Sequence, residues 1–278
     1  MFDINKHVEV IEELLNMFNA STDNPFILKG GTALMECYAL DRLSEDIDLD
    51  APGMTTDRDL FFKYLDSFCL ENGYTFRLAK NTQTVGRGFI HYPGSDKPLK
   101  VEVSYRRAEI NPDITCLINN IKTYTLDELC LMKTAAYLSR DKIRDLYDVC
   151  FICTKYYDTL SNASKDALRS AFEYKDLSQF DYLVKTDTDY LVDVEKLETM
   201  FLKSFENVGL MISSDNNIGN SMFQDAPLVP VEIEDFDLLY PKPSVNNRLD
   251  QLRGGTSVRP DEGDLGSLGQ SRLRLDDR

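Results

Sequence analysis

The sequence predicts an α+β protein: a mixed sheet with its helices over residues 1–115, an all-helical domain over 116–212, and a largely extended or disordered tail over 213–278. Three observations predict it. Short apolar runs punctuated by Gly and Pro alternate with helical patterns as far as about residue 110, and from about Thr125 the apolar spacing is helical only. Beyond Tyr240 no aromatic residue occurs, while Gly254, Gly255, Gly263, Gly266 and Gly269 accumulate beside mixed charges, a composition that buries too little apolar surface to offset the entropy of ordering.

Taken in order, Ile11, Leu14, Leu15 and Phe18 stand at helical spacing, and the helix stops in Ser21-Thr22-Asp23-Asn24-Pro25. Phe26-Ile27-Leu28 is a short buried strand bounded by Pro25 and Gly30, and Thr32–Ala39 is a helix entered through two glycines. Ile47 and Leu49 alternate with Asp46, Asp48 and Asp50, which gives the next strand one apolar and one acidic face. Thr56, with Asp59 three positions on, is the expected N-cap of a helix carrying Leu60, Phe61, Tyr64, Leu65 and Phe68 and ended by Gly73.

Three strands are expected next, at Tyr74–Leu78, Thr84–Tyr92 and Leu99–Tyr105. In the last, Leu99, Val101, Val103 and Tyr105 face one way and Lys100, Glu102 and Ser104 the other. A Thr125-x-x-Glu128 capping box then opens the helices Leu126–Arg140 and Lys142–Tyr156, with two or three more to about Leu210. The sequence has no internal repeat.

The formal charge is −16 and there are two histidines, His7 and His91, so histidine-based catalysis or a His-rich zinc site has little material. So acidic a chain has no general attraction for phosphate backbones and would need a local basic surface to meet nucleic acid. One segment reverses the sign: Phe76 to Arg107 holds Arg77, Lys80, Arg87, Lys97, Lys100, Arg106 and Arg107 against Asp96 and Glu102. A solvated hairpin face and a substrate-binding surface both fit it. Cys150 and Cys153 have C-x-x-C spacing in an apolar helical run without a second ligand pair, which points to buried thiols. The first ten residues lack the pattern of a signal peptide and no run reaches membrane-spanning length, so a cytoplasmic protein without a membrane partner is expected.

The stretch that carries chemistry is Lys29-Gly30-Gly31-Thr32-Ala33-Leu34, followed after eleven residues by Asp46-Ile47-Asp48, with Arg42 and Ser44 just before the acids. A strand running through two glycines into a helix offers bare N–H groups and a helix dipole to a phosphate. Asp46 and Asp48 fall on one strand face roughly 7 Å apart, and two carboxylates so placed can share hard divalent ions. Glu102, an isolated acid on the polar face of its strand, is the candidate third ligand. Ser44 suits a phosphate or a turn cap, and Arg42 a triphosphate or one of the acids. Lys133 sits in a helix otherwise full of core residues and needs a partner, either a triphosphate or Asp145 on the next helix. Tyr137 and Tyr147 suit base stacking or plain core packing.

Gly30-Gly31-x-x-Leu34 with Ser44-x-Asp46-x-Asp48 resembles the signature of the AbiEii/AbiGii toxin family of nucleotidyltransferases, in the polymerase-β-like superfamily. Leu99-Lys100-Val101-Glu102-Val103 resembles the family's next core strand, and Lys133-x-x-Ala136 with Arg144-Asp145-x-x-Asp148 its helical elements. The resemblance implies a polymerase-β-like nucleotidyltransferase domain followed by helices, and transfer of an NMP from an NTP to an RNA acceptor, a tRNA 3′ end. It further implies Mg2+ (or Mn2+) at Asp46, Asp48 and Glu102, nucleotide binding by Gly30, Gly31, Arg42, Ser44 and Lys133, and catalytic roles for Lys133 and Asp145 or Asp148. The implied setting is a toxin–antitoxin or abortive-infection system for phage defence, with an antitoxin encoded alongside. Transfer to a protein hydroxyl, a catalytically silent nucleotide-binding or antitoxin-like module, and a structural protein using the acidic C-terminal half are the alternatives.

Overall fold

In the computed structural model, which describes residues 2–20 and 24–211, the chain opens with α1 (Ile4–Asn19), capped by the Asp3 carboxylate. The expected turn residues 21–23 and the tail expected over 213–278 lie outside the described residues. Next come β1 (Ile27–Lys29), α2 (Gly30–Tyr38), β2 (Asp46–Asp50), α3 (Arg58–Asn72), β3 (Thr75–Asn81), β4 (Val85–His91) and β5 (Leu99–Ser104). The cap of α3 is Asp57, whose carboxylate accepts from the Asp59 amide at 3.0 Å, and not Thr56. Asp57 stands next to the first turn, and its charge also meets the positive end of the helix dipole.

Two short strands absent from the sequence reading follow: β6 (Thr115–Ile118) and β7 (Ile121–Tyr124), joined through Asn119 and Asn120 at φ 51° and 63°. The seven strands of the described residues pair in the order β3-β4-β5-β2-β1-β7-β6. β2–β5 and β1–β7 are parallel and the other pairs antiparallel, so the sheet is mixed and runs on to Tyr124.

The two sheet faces differ as alternation requires. Ile47, Leu49, Ile90, Leu99, Val101 and Val103 are at most 2% exposed on one face. Burial of each such side chain contributes about 1.5–3 kcal/mol. Helices α1 and α3 pack with this core, Phe26 meeting Phe18 and Phe61 edge-on with ring centroids 5.4 and 5.9 Å apart. A one-residue slip of β2 would drive Asp46 and Asp48 into that core, so the register is firmly set.

The helical part comprises α4 (Leu126–Ser139), α5 (Ile143–Tyr156), α6 (Asn162–Tyr174), α7 (Leu177–Thr186) and α8 (Val194–Asn207). Thr125 caps α4, accepting from the Glu128 amide at 3.4 Å. Cys150 and Cys153 are free thiols buried within α5, and burial pushes the Cys153 thiol up to about 12, far from thiolate chemistry. Tyr137 and Tyr147 are also core residues, at most 1% exposed, and their hydroxyls donate to the Lys175 carbonyl and to Asp41. No helix of the described residues is long and apolar enough to cross a membrane.

Candidate active site

Strand pairing assembles the acids. β2 and β5 run parallel with Asp46 opposite Lys100 and Asp48 opposite Glu102, β4 sets Arg87 opposite Glu102, and β1 sets Lys29 opposite Asp48. Directly paired residues share a face, so all six point away from the apolar core. The side chains of Asp46, Asp48 and Glu102 keep 41%, 39% and 22% of their exposure, open enough to meet a ligand.

Like charges side by side on neighbouring strands repel, and the fold answers each acid differently. Lys100 Nζ donates to Asp46 Oδ2 at 2.7 Å and stands 3.9 Å from Asp48 Oδ1. The Arg87 guanidinium donates to Glu102 at 2.5 Å. Lys29 pairs with Asp50, which is buried and also accepts from Tyr124 Oη at 2.9 Å. Asp48 is left with the longer Lys100 contact. Burial raises its pKa, Lys100 draws it down, and the Asp46 carboxylate raises it again, for a net position above the usual range. For Lys100, burial pulls the ammonium down, but Asp48 and the hydrogen bond to Asp46 prevail and raise it.

With Glu102 drawn to Arg87 and Asp46 to Lys100, no three His, Cys, Asp or Glu side chains of the described residues converge as a ready metal cage. The donor set itself fits a divalent ion of the magnesium type. It consists of hard carboxylate oxygens on one face of adjacent strands, in surroundings that already gather two cations.

The two glycines belong to this face. Gly30 has φ +79°, and a Cβ there would stand 3.2 Å from Asp48 Oδ2. At Gly31 a Cβ would come within 2.7 Å of Ser44 Oγ and 3.1 Å of Arg42 Nη2. Backbone therefore presses against Asp48 at Gly30 and against Arg42 and Ser44 at Gly31, as only glycine allows. The Thr32 hydroxyl fixes that loop, donating to Ser44 Oγ at 2.9 Å. Helix α2 begins without a side-chain cap from Lys29, so its first-turn N–H groups suit an anion.

Lys133 and Arg42 meet on one carboxylate. Asp148, with no exposure, accepts from Arg42 Nε at 2.8 Å and Nη2 at 2.7 Å, and Lys133 Nζ lies 2.6 Å from its Oδ2. The Lys133–Asp145 pair, one of the two alternatives the sequence left open, does not form. Asp145, nearly a turn earlier on α5, receives the Arg140 guanidinium at 2.6 and 3.0 Å instead. A continuous path thus leads from Lys133 through Asp148, Arg42, Ser44 and the glycines to Asp48, with Asp46 and Glu102 beside it and Asp145 apart. The sequence reading placed Lys100 and Arg87 in a basic segment and missed their pairing with the acids. Lys100, alternating with Glu102 on one strand face, was the available signal; Arg87 becomes visible only through the β4–β5 register.

This arrangement can be set beside known proteins. Residues 14–210 match the family described as nucleotidyl transferase AbiEii toxin, type IV toxin–antitoxin system. The chain belongs to the AbiEii nucleotidyltransferase toxin family. Membership carries nucleotidyl transfer with an NTP as substrate, and an antitoxin as partner. The crystal structure of JHP933 from Helicobacter pylori superposes with a TM-score of 0.62 at 24% identity, covering 75% of this chain and 93% of that one. Such a likeness speaks for the fold, an α+β nucleotidyltransferase fold as the sequence predicted. MenT4, a nucleotidyltransferase toxin from Mycobacterium tuberculosis, gives a TM-score of 0.45 at 16% identity over 74% of this chain and 83% of its own, too distant to argue from. No curated protein sequence matches.

In this AbiEii-family chain the residue just before the acid strand is also braced, by Arg144 of α5 and by two residues outside helices, Tyr190 and Lys97. Glu45, buried directly before Asp46, accepts from Tyr190 Oη at 2.5 Å and from Arg144 at 3.1 Å, and pairs with Lys97 at 2.6 Å. Burial pushes its carboxyl up, but the bonds from Lys97 and Tyr190 outweigh that and leave it below the usual range. Two cavities, of about 360 Å³ beside Asp41 and Met200 and about 470 Å³ beside Leu177 and Phe201, are lined by none of the candidate residues.

Proposed function

We propose that this protein transfers an NMP from an NTP to an RNA acceptor, a tRNA 3′ end, and acts in the cytoplasm as the phage-defence toxin of a pair with an antitoxin encoded alongside. The observation that carries the reading is the in-register set Asp46, Asp48 and Glu102 against the Gly30–Gly31 turn. Family membership supports the reaction class, and the choice of tRNA rests on the family resemblance.

In this reading the triphosphate lies against the N–H groups at Gly30 and Gly31 and the Ser44 hydroxyl, with Lys133 and Arg42 supplying positive charge behind them. Asp148 holds those two cations in place. Asp46, Asp48 and Glu102 would hold magnesium or manganese, which when bound lowers the pKa of the incoming hydroxyl and spreads charge on the α-phosphate. Lys100 and Arg87 balance the carboxylate charge in the metal-free protein. Asp145, tied to Arg140, serves the scaffold of α5. Positioning and electrostatics suffice, and no covalent enzyme intermediate is required.

The test is incubation of the full chain with labelled NTPs, magnesium and total RNA. Nuclease-sensitive label is expected in RNA of tRNA size, with a loss on the order of 10³-fold or more in Asp46→Ala. Equal labelling by the variant refutes the assignment of the acids. Label that resists nuclease but yields to protease refutes the RNA acceptor alone.

A further inference from the structure

The acid-bearing sheet face does not end at Glu102. It continues across β4 and β3, where cross-strand pairing sets Phe89 opposite Lys100, Arg77 opposite Phe89, and Lys80 opposite Arg87. Arg77 and Lys80 are three residues apart, and in a regular strand they would point to opposite sides. An irregularity of the β3–β4 pairing between Leu78 and Lys80 shifts the register and returns Lys80 to the Arg77 side. The bulge therefore concentrates positive charge on the face that carries the acids.

Phe89 is the anomaly of this face. It is half-buried and stands outside the hydrophobic core, while Ile90 beside it is fully buried on the other side of the sheet. The Arg77 guanidinium lies across its ring, 4.5 Å from the centroid. Phe89, Lys100 and Asp46 are successive cross-strand partners, which puts Phe89 about 10 Å from Asp46, two strand spacings. Of the basic residues between Phe76 and Arg107, Lys97, Lys100, Arg87 and Arg107 are committed to Glu45, Asp46, Glu102 and Glu128. Arg77 and Lys80, by contrast, stand exposed on the edge strand.

We propose that the open face of β3 and β4, with Phe89, Arg77 and Lys80, is a stacking platform that binds the single-stranded end of the RNA acceptor and leads it to the acids. A half-buried aromatic under a guanidinium, outside the core of the described residues, is suited to the π-face of an unpaired base, and flanking cations to its phosphates. In a chain of net charge −16 such a surface is a local exception, which favours a polyanion over an acidic protein. The platform gives the proposed transfer an acceptor site, and in that sense it rests on the reading above.

The protein contains no tryptophan, so Phe89→Trp in the full chain introduces a sole reporter at the stacking position. Titration with a short single-stranded oligoribonucleotide, without NTP, should quench its emission saturably. Adding Arg77→Ala and Lys80→Ala should weaken binding and lower the slope of log affinity against log salt by roughly 0.7 for each lost phosphate contact. In the transfer assay Phe89→Ala should raise the KM for RNA by about five- to a hundredfold, and more than it lowers kcat. No quenching, quenching by NTP alone, or equal binding of a blunt duplex would overturn the platform. Because binding is read without NTP, quenching alongside failed transfer would sink the enzymatic reading and keep the platform, and transfer with an unchanged KM in Phe89→Ala would do the reverse.

Discussion

Asp148→Asn isolates the buried charge cluster behind the glycine turn. The wild-type carboxylate has no exposure and takes two bonds from Arg42 and one contact from Lys133, whose side chains are only 4% and 12% exposed. Replacing it with a neutral amide leaves two buried cations without a counter-charge. Breaking a buried pair in this way costs about 3–5 kcal/mol. For a folded part of this size each kcal/mol shifts the melting temperature by about 2–4 °C, so a fall of roughly 6–20 °C is expected by thermal unfolding followed by circular dichroism. Asp145→Asn is the control, because its partner Arg140 is 61% exposed and can turn to water, for a loss of about 1 kcal/mol. Equal shifts in the two variants, or an Asp148→Asn protein as stable as wild type, would refute the view that Asp148 is the buried anchor.

Two further outcomes are expected. Lys100→Ala removes the cation between Asp46 and Asp48, so the protein in EDTA should melt about 2–4 °C lower, and added magnesium should stabilise it more than it stabilises wild type. A magnesium response no larger than wild type's would count against Lys100 standing in for a divalent ion. His7 is fully buried, donating from Nε2 to the Glu45 carbonyl at 2.9 Å and accepting at Nδ1 from Tyr92, and burial lowers its pKa despite the raising effect of the Glu45 carbonyl. With the folded pKa below the unfolded one, its contribution is complete above about pH 6.5 and is lost as pH falls toward the folded value. Melting temperatures between about pH 7.5 and 5.5 should fall more steeply for wild type than for His7→Gln; parallel curves would assign the acid sensitivity elsewhere.

What the sequence disclosed and what it hid follow from range. The glycine turn, the Asp46–Asp48 strand and the Thr125 cap depend on neighbours within a few residues, and local pattern carries them. The β6–β7 hairpin escaped because its strands are four residues each, although Asn119-Asn120, both at positive φ, is a hairpin-turn signal. The choice of Asp148 over Asp145 for Lys133 lies beyond local pattern. The two acids are three residues apart on one helix, and the decision is made by Arg42, 106 residues away in sequence. Likewise the bulge that turns Lys80 to the Arg77 side leaves no mark in the alternation of β3.

That Asp46, Asp48 and Glu102 together hold the ions of nucleotidyl transfer is tested most directly by manganese binding, read from the electron paramagnetic resonance of the free ion in the presence of a non-hydrolysable NTP. Wild type should take up about two ions per chain, and Asp46→Asn, Asp48→Asn and Glu102→Gln should each lose at least one. Uptake by all three variants equal to wild type would contradict the assignment.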